Sequence, residues 1–341
     1  MSWFYSFARS GLFCLPPETA HDVALNALAA GRFLLRPVKH PAKPIECLGL
    51  EFDNAVGLAA GLDKNGDYID ALAALGFGFI EVGTVTPKPQ SGNAKPRMFR
   101  LPEHQALINR LGFNNKGVDH LVEQLKKRTF KGPVGANIGK QKETPVERAA
   151  EDYVHCLERV YPHCDYVTVN ISSPNTANLR ELQDTGALRE LIDELLTCRN
   201  HLHQTHDLQR PILIKIAPDW HESALIASLE VIGESDIDGL ITTNTTLDRN
   251  AVAGHDHAEE SGGLSGAPLK PAANHVLKQA HKVLGAEFPI IGLGGIMNGD
   301  DAREKLEAGA DLIQIYTGLI YRGPALVQQC IEAAADYAQR S

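Results

Sequence analysis

From Ala55 onward the chain alternates short apolar runs with longer amphipathic stretches, and no other feature limits its fold so severely. A strand that reads as an unbroken apolar run is buried on both faces, which means a parallel sheet covered by helices; each return to a parallel neighbour then needs a crossover of helical length. Eight runs fit: residues 56–59, 79–83, 134–138, 166–170, 212–216, 239–243, 290–293 and 312–316. Amphipathic stretches such as 68–75, 146–161, 188–199, 223–232 and 302–308 lie between them. Eight strand–helix units predict an α/β fold closed as a (β/α)8 TIM barrel, and 341 residues, 43% of them hydrophobic, are ample for one such core.

Polar residues gather at the ends of these runs. Asn170-Ile171-Ser172-Ser173-Pro174-Asn175 closes the fourth with two carboxamides flanking serine, offering hydrogen bonds to a planar polar ligand and a hydroxyl beside it. Alone, the hexad reads better as a plain turn, since Ser, Pro and Asn are ordinary turn residues. Its company argues otherwise: Asn137 follows residues 133–136, Lys215 stands within the fifth run, and Thr243-Asn244-Thr245 follows the sixth. In such barrels the carboxyl ends of the strands and the loops after them build the active site.

Two connections are too long to be idle. Residues 86–111, with Pro87, Pro89, Gly92 and Pro96, are expected to cover or line the site, and residues 246–270, rich in Gly, His, Asp and Glu, read as a mobile lid. Residues 1–43 stand outside the alternation, ahead of a barrel domain at 44–341. Trp3, Phe4, Phe7, Leu12 and Phe13 form one apolar cluster; Pro16-Pro17 interrupts it, and Val23, Leu25, Leu28, Phe33 and Leu34 follow, so two short amphipathic helices are expected as an N-terminal helical extension. This segment has five Lys or Arg against two acids, a formal +3, and since the whole chain carries −9 the remainder carries −12. A basic, aromatic-bearing helical pair suits an anionic membrane surface. A helical cap packed across one end of the barrel explains the same residues. No run approaches the roughly 20 apolar residues that span a bilayer, and the pattern of a secretory signal is missing.

The acidic balance argues against a nucleic-acid binder and for a small-molecule partner. Cys14, Cys47, Cys156, Cys164, Cys198 and Cys330 are scattered without CxxC pairing, so neither a disulfide framework nor a zinc site is indicated. His201, His203 and His206, and also His255 and His257, lack a known ligand spacing and read better as solvated loop residues than as metal ligands.

Ala60-Gly61-Leu62-Asp63-Lys64-Asn65-Gly66 follows the first run, its glycines allowing close backbone approach to a ligand and Lys64 supplying positive charge. Gly292-Leu293-Gly294-Gly295-Ile296 follows the seventh run and Tyr316-Thr317-Gly318 the eighth, where barrels often bind phosphate through loop amides. A phosphate there, joined to polar groups across the barrel mouth, fits flavin mononucleotide, FMN, with Lys215 stabilising the charge that collects on the ring upon reduction. A lysine inside an apolar strand also needs a compensating partner.

The motifs GLAAGLDKNG, EVGTVTPKPQSGNAKPRMFRL, LINRLGFNN, NISSPNT, IKIAP, TTNTT, GGLSG, GLGGI and YTGL occur in this order over nearly all of residues 55–323. On them the chain resembles the dihydroorotate dehydrogenases. Serine at 173, the position of the catalytic base, together with the N-terminal extension, resembles the membrane-associated, quinone-using class; the soluble class has cysteine there. The resemblance implies oxidation of (S)-dihydroorotate to orotate in pyrimidine biosynthesis, through FMN to a quinone, at the cytoplasmic face of a bacterial cell membrane. It implies FMN contacts from Ala60, Gly61, Leu62, Asp63, Lys64, Thr84, Asn137, Asn170, Lys215, Thr243, Gly266, Gly295, Tyr316 and Thr317. Substrate contacts follow for Lys64, Asn109, Arg110, Leu111, Gly112, Phe113, Asn170, Asn175, Asn244 and Thr245, and His21 and Arg100 are candidates for the quinone head. An isolated serine is a poor base and needs a proton path, for which Thr176 and a water are expected relay members. Two other readings remain open: a phosphate-binding barrel lyase or isomerase, which would need neither Lys215 nor the extension, and a membrane-bound sensor that binds without turnover.

Overall fold

The computed structural model describes residues 2–34, 44–176 and 178–340. Two helices open the chain, α1 (Ser2–Phe13) and α2 (Pro17–Gly31), with Pro17 at the first position of the second, where its missing N–H costs no hydrogen bond. A hairpin of β1 (Ile45–Cys47) and β2 (Leu50–Phe52) follows. Eight parallel strands then close a barrel: β3 (Val56–Leu58), β4 (Phe79–Val85), β7 (Val134–Ile138), β8 (Tyr166–Asn170), β9 (Ile212–Ile216), β10 (Gly239–Thr242), β12 (Ile290–Leu293) and β13 (Leu312–Ile315). The numbers skipped belong to β5 (Met98–Leu101), β6 (Ala106–Asn109) and β11 (Gly263–Gly266), which form a separate antiparallel sheet. The eight expected runs are the barrel strands, with ends displaced by at most two residues.

Every residue of the barrel strands is buried, as strands with helices outside and a packed interior must be. The outer layer is α3 (Ile69–Ala73), α4 (Val118–Lys127), α5 (Ala149–Val160), α6 (Thr185–His206), α7 (Glu222–Gly233), α8 (Lys270–Leu284) and α9 (Gly299–Glu307), followed by α10 (Thr317–Arg322) and α11 (Ala325–Arg340). In α4 the buried residues Val118, Leu121, Val122 and Leu125 recur at the helical period and make one apolar stripe. His201, His203 and His206, expected in a loop, lie in the last turns of α6; their polarity marks the outer face of a helix, which a composition argument cannot tell from a loop.

The barrel interior changes character along its axis. At the amino ends of the strands it is aromatic: Phe52, Phe79 and Tyr166 pack edge to face with centroids 5.2 and 6.5 Å apart. Gly57 and Gly135 make room for them, since a Cβ on either would fall within 2.3 Å of the Phe79 or Tyr166 ring. Further along, the interior carries Glu81, Thr168, Asn137, Lys215 and Gln314, all buried. Above these lies an open cavity.

The two long connections meet. Residues 86–111 supply β5 and β6, residues 246–270 supply β11, and β11 pairs with β6 in register Gly263↔Asn109 to Gly266↔Ala106. The segment read as a mobile lid is thus tied down at its carboxyl end, and Arg110 pairs with Glu260 at 2.6 Å nearer its middle. The extension is anchored through polar contacts: Tyr5 donates to the Ile320 carbonyl at 2.8 Å, Arg9 to that of Tyr321 at 2.6 Å, and Arg100 to that of Leu15 at 2.9 Å. The side chains of Trp3, Phe4 and Leu34, the basic residues Arg36, Lys39 and Lys43, and the expected domain boundary at 43/44 lie outside the described residues.

Candidate active site

A cavity opens at the carboxyl ends of the strands, where a barrel of this kind builds its ligand site. Its lining brings together Ala60, Gly61, Lys64, Thr84, Asn109, Leu111, Gly112, Phe113, Asn170, Ser173, Asn175, Lys215, Thr243, Asn244, Thr245, Gly266, Gly295, Tyr316 and Thr317. These residues come from seven of the eight barrel strands or the connections after them and from the small sheet, up to 257 positions apart in sequence, from Ala60 to Thr317.

The floor is a hydrogen-bonded polar layer. Lys215 projects from β9 and its Nζ lies 3.6 Å from the carboxylate of Glu81, which has no exposed surface. Glu81 also accepts from Asn137 Nδ2 and Gln314 Nε2, each at 2.8 Å, from Thr168 Oγ1 at 3.2 Å and from the Tyr166 hydroxyl at 3.3 Å. Donors converging on a carboxylate compensate its burial, and the lysine is paired rather than isolated. Asn137 accepts from Thr84 Oγ1 at 2.5 Å, and Asn170 Nδ2 donates to that same hydroxyl at 3.0 Å, so the amides at the strand ends are oriented from below.

On one wall, Ser173 is buried and its Oγ accepts from the Asn175 amide at 3.3 Å. Asn175 Nδ2 reaches Asn109 Oδ1 at 3.4 Å, and Asn244 Nδ2 donates to Ser172 Oγ at 2.9 Å. Lys64 contributes a cation: burial pulls its ammonium down to about 8, against the attraction of Glu18. Asp63, beside it, does not face the cavity; its carboxylate accepts from the amides of Asp67 at 3.0 Å and Tyr68 at 2.7 Å and closes its own loop, with burial pushing it up to about 6.

On another wall the turn Gly294-Gly295 takes φ of +100° and +81°. A Cβ at Gly295 would lie 2.5 Å from Lys270 Cα, so only glycine admits both the conformation and the packing on α8. Thr243 Oγ1 and Gln314 Oε1 line the cavity and are buried without a hydrogen-bond partner among the described residues. Unpaired buried acceptors in a cavity wall are what a polar ligand satisfies. Turn and orphaned oxygens together fit a phosphate-bearing ring system such as FMN.

A second cavity, mainly apolar, lies between the extension and the barrel and is lined by Phe13, Pro17, His21, Leu25, Leu62, Met98, Arg100, Leu319 and Ile320 among others. Burial and the charge of Lys64 pull the His21 imidazole down to about 4, so it is neutral at pH 7. Tyr316 alone among the lining residues belongs to both cavities.

Four expected site residues do not line the first cavity. Leu62 faces the second, Asp63 closes its loop, Asn137 works from the polar layer, and Arg110 turns outward to Glu260 and over the Phe99 ring at 4.7 Å. Thr176 is buried beside Ser173 but outside the lining. Ser265, Leu269, Met297 and Gln314 line the cavity without having been singled out. Glu81 was missed too, although an acid within the run FIEVG was as unusual as Lys215.

A family model for dihydroorotate dehydrogenase matches residues 44–336. A relative named dihydroorotate dehydrogenase (quinone) from Cellvibrio japonicus is 51% identical over 339 residues, covering 98% of this chain and 99% of its own. One of the same name from Burkholderia multivorans is 54% identical over 338 residues, covering 98% of each. A crystal structure of DHODH from Eimeria tenella in complex with ferulenol superposes with a TM-score of 0.88 at 36% identity, covering 95% of this chain and 92% of that one.

Proposed function

The chain belongs to the dihydroorotate dehydrogenase family, and from that premise we propose how its two cavities divide the work of the reaction. It oxidises dihydroorotate to orotate in pyrimidine biosynthesis and passes the electrons to a quinone. The first cavity takes dihydroorotate and FMN, and the second takes the quinone head. Carrying this reading is one observation: Lys64, Ser173 and the carboxamides of Asn170, Asn175 and Asn244 converge on a cavity whose wall, Tyr316, is also a wall of the apolar cavity.

Bound FMN supplies a two-electron acceptor between substrate and quinone. The amides around Gly294-Gly295 and Thr317 would hold its phosphate, and Lys215, Thr243 and Gln314 would meet the polar edge of its ring. Lys64 pairs with the substrate carboxylate, and the carboxamides meet the ring carbonyls and N–H groups. Ser173 takes the proton from substrate C5. The Glu81 carboxylate gives Lys215 a partner in a dry site, and the lid segment excludes water. Exposed Phe7, Val23 and Phe33 on the basic extension support attachment to the cytoplasmic face of a membrane; among the described residues no helix is long and apolar enough to cross one. Purified protein should show a flavin absorption band that dihydroorotate bleaches, and acid precipitation should release one FMN per chain. Recovery of FAD, or a band indifferent to dihydroorotate, overturns the reading.

A further inference from the structure

We propose that Glu18, on the N-terminal extension, is a positioning residue for the dihydroorotate site, acting through Arg97 and Asn93 on the segment 109–113 and on Asn175. The inference rests on the assignment of that segment to the substrate.

The connection is a continuous series of hydrogen bonds. Glu18 sits in the first turn of α2, on the face toward β5. Arg97, just before β5, has a side chain only 7% exposed, and its Nη2 and Nε donate to Glu18 Oε1 at 2.8 and 3.1 Å. Nη1 of the same guanidinium donates to the carbonyls of Ser91 and Asn93, at 2.6 and 2.8 Å. Arg97 therefore spends one edge on the extension and the other on the tight turn that presents Asn93. Asn93 in turn donates from Nδ2 to the Arg110 carbonyl at 3.0 Å and to the Asn175 carbonyl at 3.3 Å, while its backbone amide donates to Leu111 at 3.1 Å. Those three acceptors frame the cavity lining at Asn109, Leu111, Gly112 and Asn175. The packing has no slack: a Cβ at Gly112 would lie 2.7 Å from Asn93 Nδ2, and one at Gly92 would lie 2.9 Å from Arg97 Nη1.

A guanidinium this buried needs a carboxylate, and no other carboxylate pairs with Arg97 among the described residues. Glu18 supplies it across 79 positions of sequence, from a segment that shares no strand with the barrel. Its charge also favours the protonated form of Lys64 in the cavity. Neither Glu18, Arg97 nor Asn93 lines either cavity, so none of the three touches a molecule bound there.

The test uses full-length FMN-loaded protein. Orotate dissociation is read from perturbation of the flavin spectrum in wild type, Glu18→Gln, Asn93→Ala and the double variant, with thermal melting as a folding control. Glu18→Gln and Asn93→Ala should each weaken orotate roughly threefold to thirtyfold, the double variant no more than the weaker single, and kcat at saturating dihydroorotate should hold. An unchanged orotate affinity in folded Glu18→Gln overturns the inference, and additive effects in the double variant overturn the route through Asn93. Should Glu18→Gln fail to fold, Asn93→Ala with unchanged orotate affinity overturns it equally. Failure of wild type to bind orotate would instead remove the substrate assignment itself.

Discussion

On the proposed reading Ser173 is the base; it is buried, its Oγ accepts from the Asn175 amide, and among the described residues no hydrogen bond joins that oxygen to a histidine or a carboxylate. On that reading its basicity comes from the exit route of the proton, and the cost of removing it falls on the chemical step rather than on binding, which is assigned to the carboxamides and Lys64. Ser173→Ala should bind orotate almost as wild type and reduce its flavin ~10²–10⁴-fold more slowly. Stopped-flow reduction within threefold of wild type would take Ser173 out of the mechanism. At this scale the sequence was informative where a residue was chemically out of place. Lys215 in ILIKI and the Asn-Ile-Ser-Ser-Pro-Asn corner announced themselves, and both reach the cavity. Arg110 and Leu62 show the limit: neighbours in a motif share its address but alternate in direction, and only the folded backbone decides which of them line the first cavity.

Between helix and strand, α9 and β12 enclose a cost the function does not obviously require. Lys305 has no exposed surface, and its Nζ donates to the Leu293 carbonyl at 3.2 Å, an oxygen already bonded by the Thr243 amide. Burial pulls its ammonium down to about 7, although Asp301 and Glu304 favour the charged form. A folded value below the ordinary lysine value of roughly 10.4 means the unfolded chain holds the proton more tightly. The penalty is therefore full below pH 7 and vanishes as pH rises toward 10.4. Lys305→Met, similar in volume and uncharged, should raise stability by about 1–4 kcal/mol at pH 6 and by much less near pH 10. Denaturant unfolding at the two pH values checks both sign and trend; destabilisation at pH 6 would refute it. Elements of this barrel were readable because their burial is two-sided and their composition follows. The small sheet of β5, β6 and β11 was not, because strands from connections 154 residues apart, Asn109 and Gly263, pair only once the barrel has brought them together.

Across the whole molecule, the extension packs against the barrel and shares one of its two cavities. Its aromatic and apolar residues line the second cavity, while Glu18 reaches toward the first. Deleting residues 1–41 should abolish vesicle binding and turnover of a long-chain quinone, leave flavin reduction at saturating dihydroorotate near wild type, and raise the dihydroorotate KM through loss of Glu18. Equal damage to both half-reactions would favour the structural cap, and unchanged quinone turnover with unchanged vesicle binding would dismiss the membrane entrance.

Tyr316 as a party wall has a pharmacological corollary. On the proposed reading, a blocker lodged among Phe13, Leu25 and Met98 occupies space that dihydroorotate never visits, so a surplus of dihydroorotate does not evict it. Only another guest of that same apolar room competes with it.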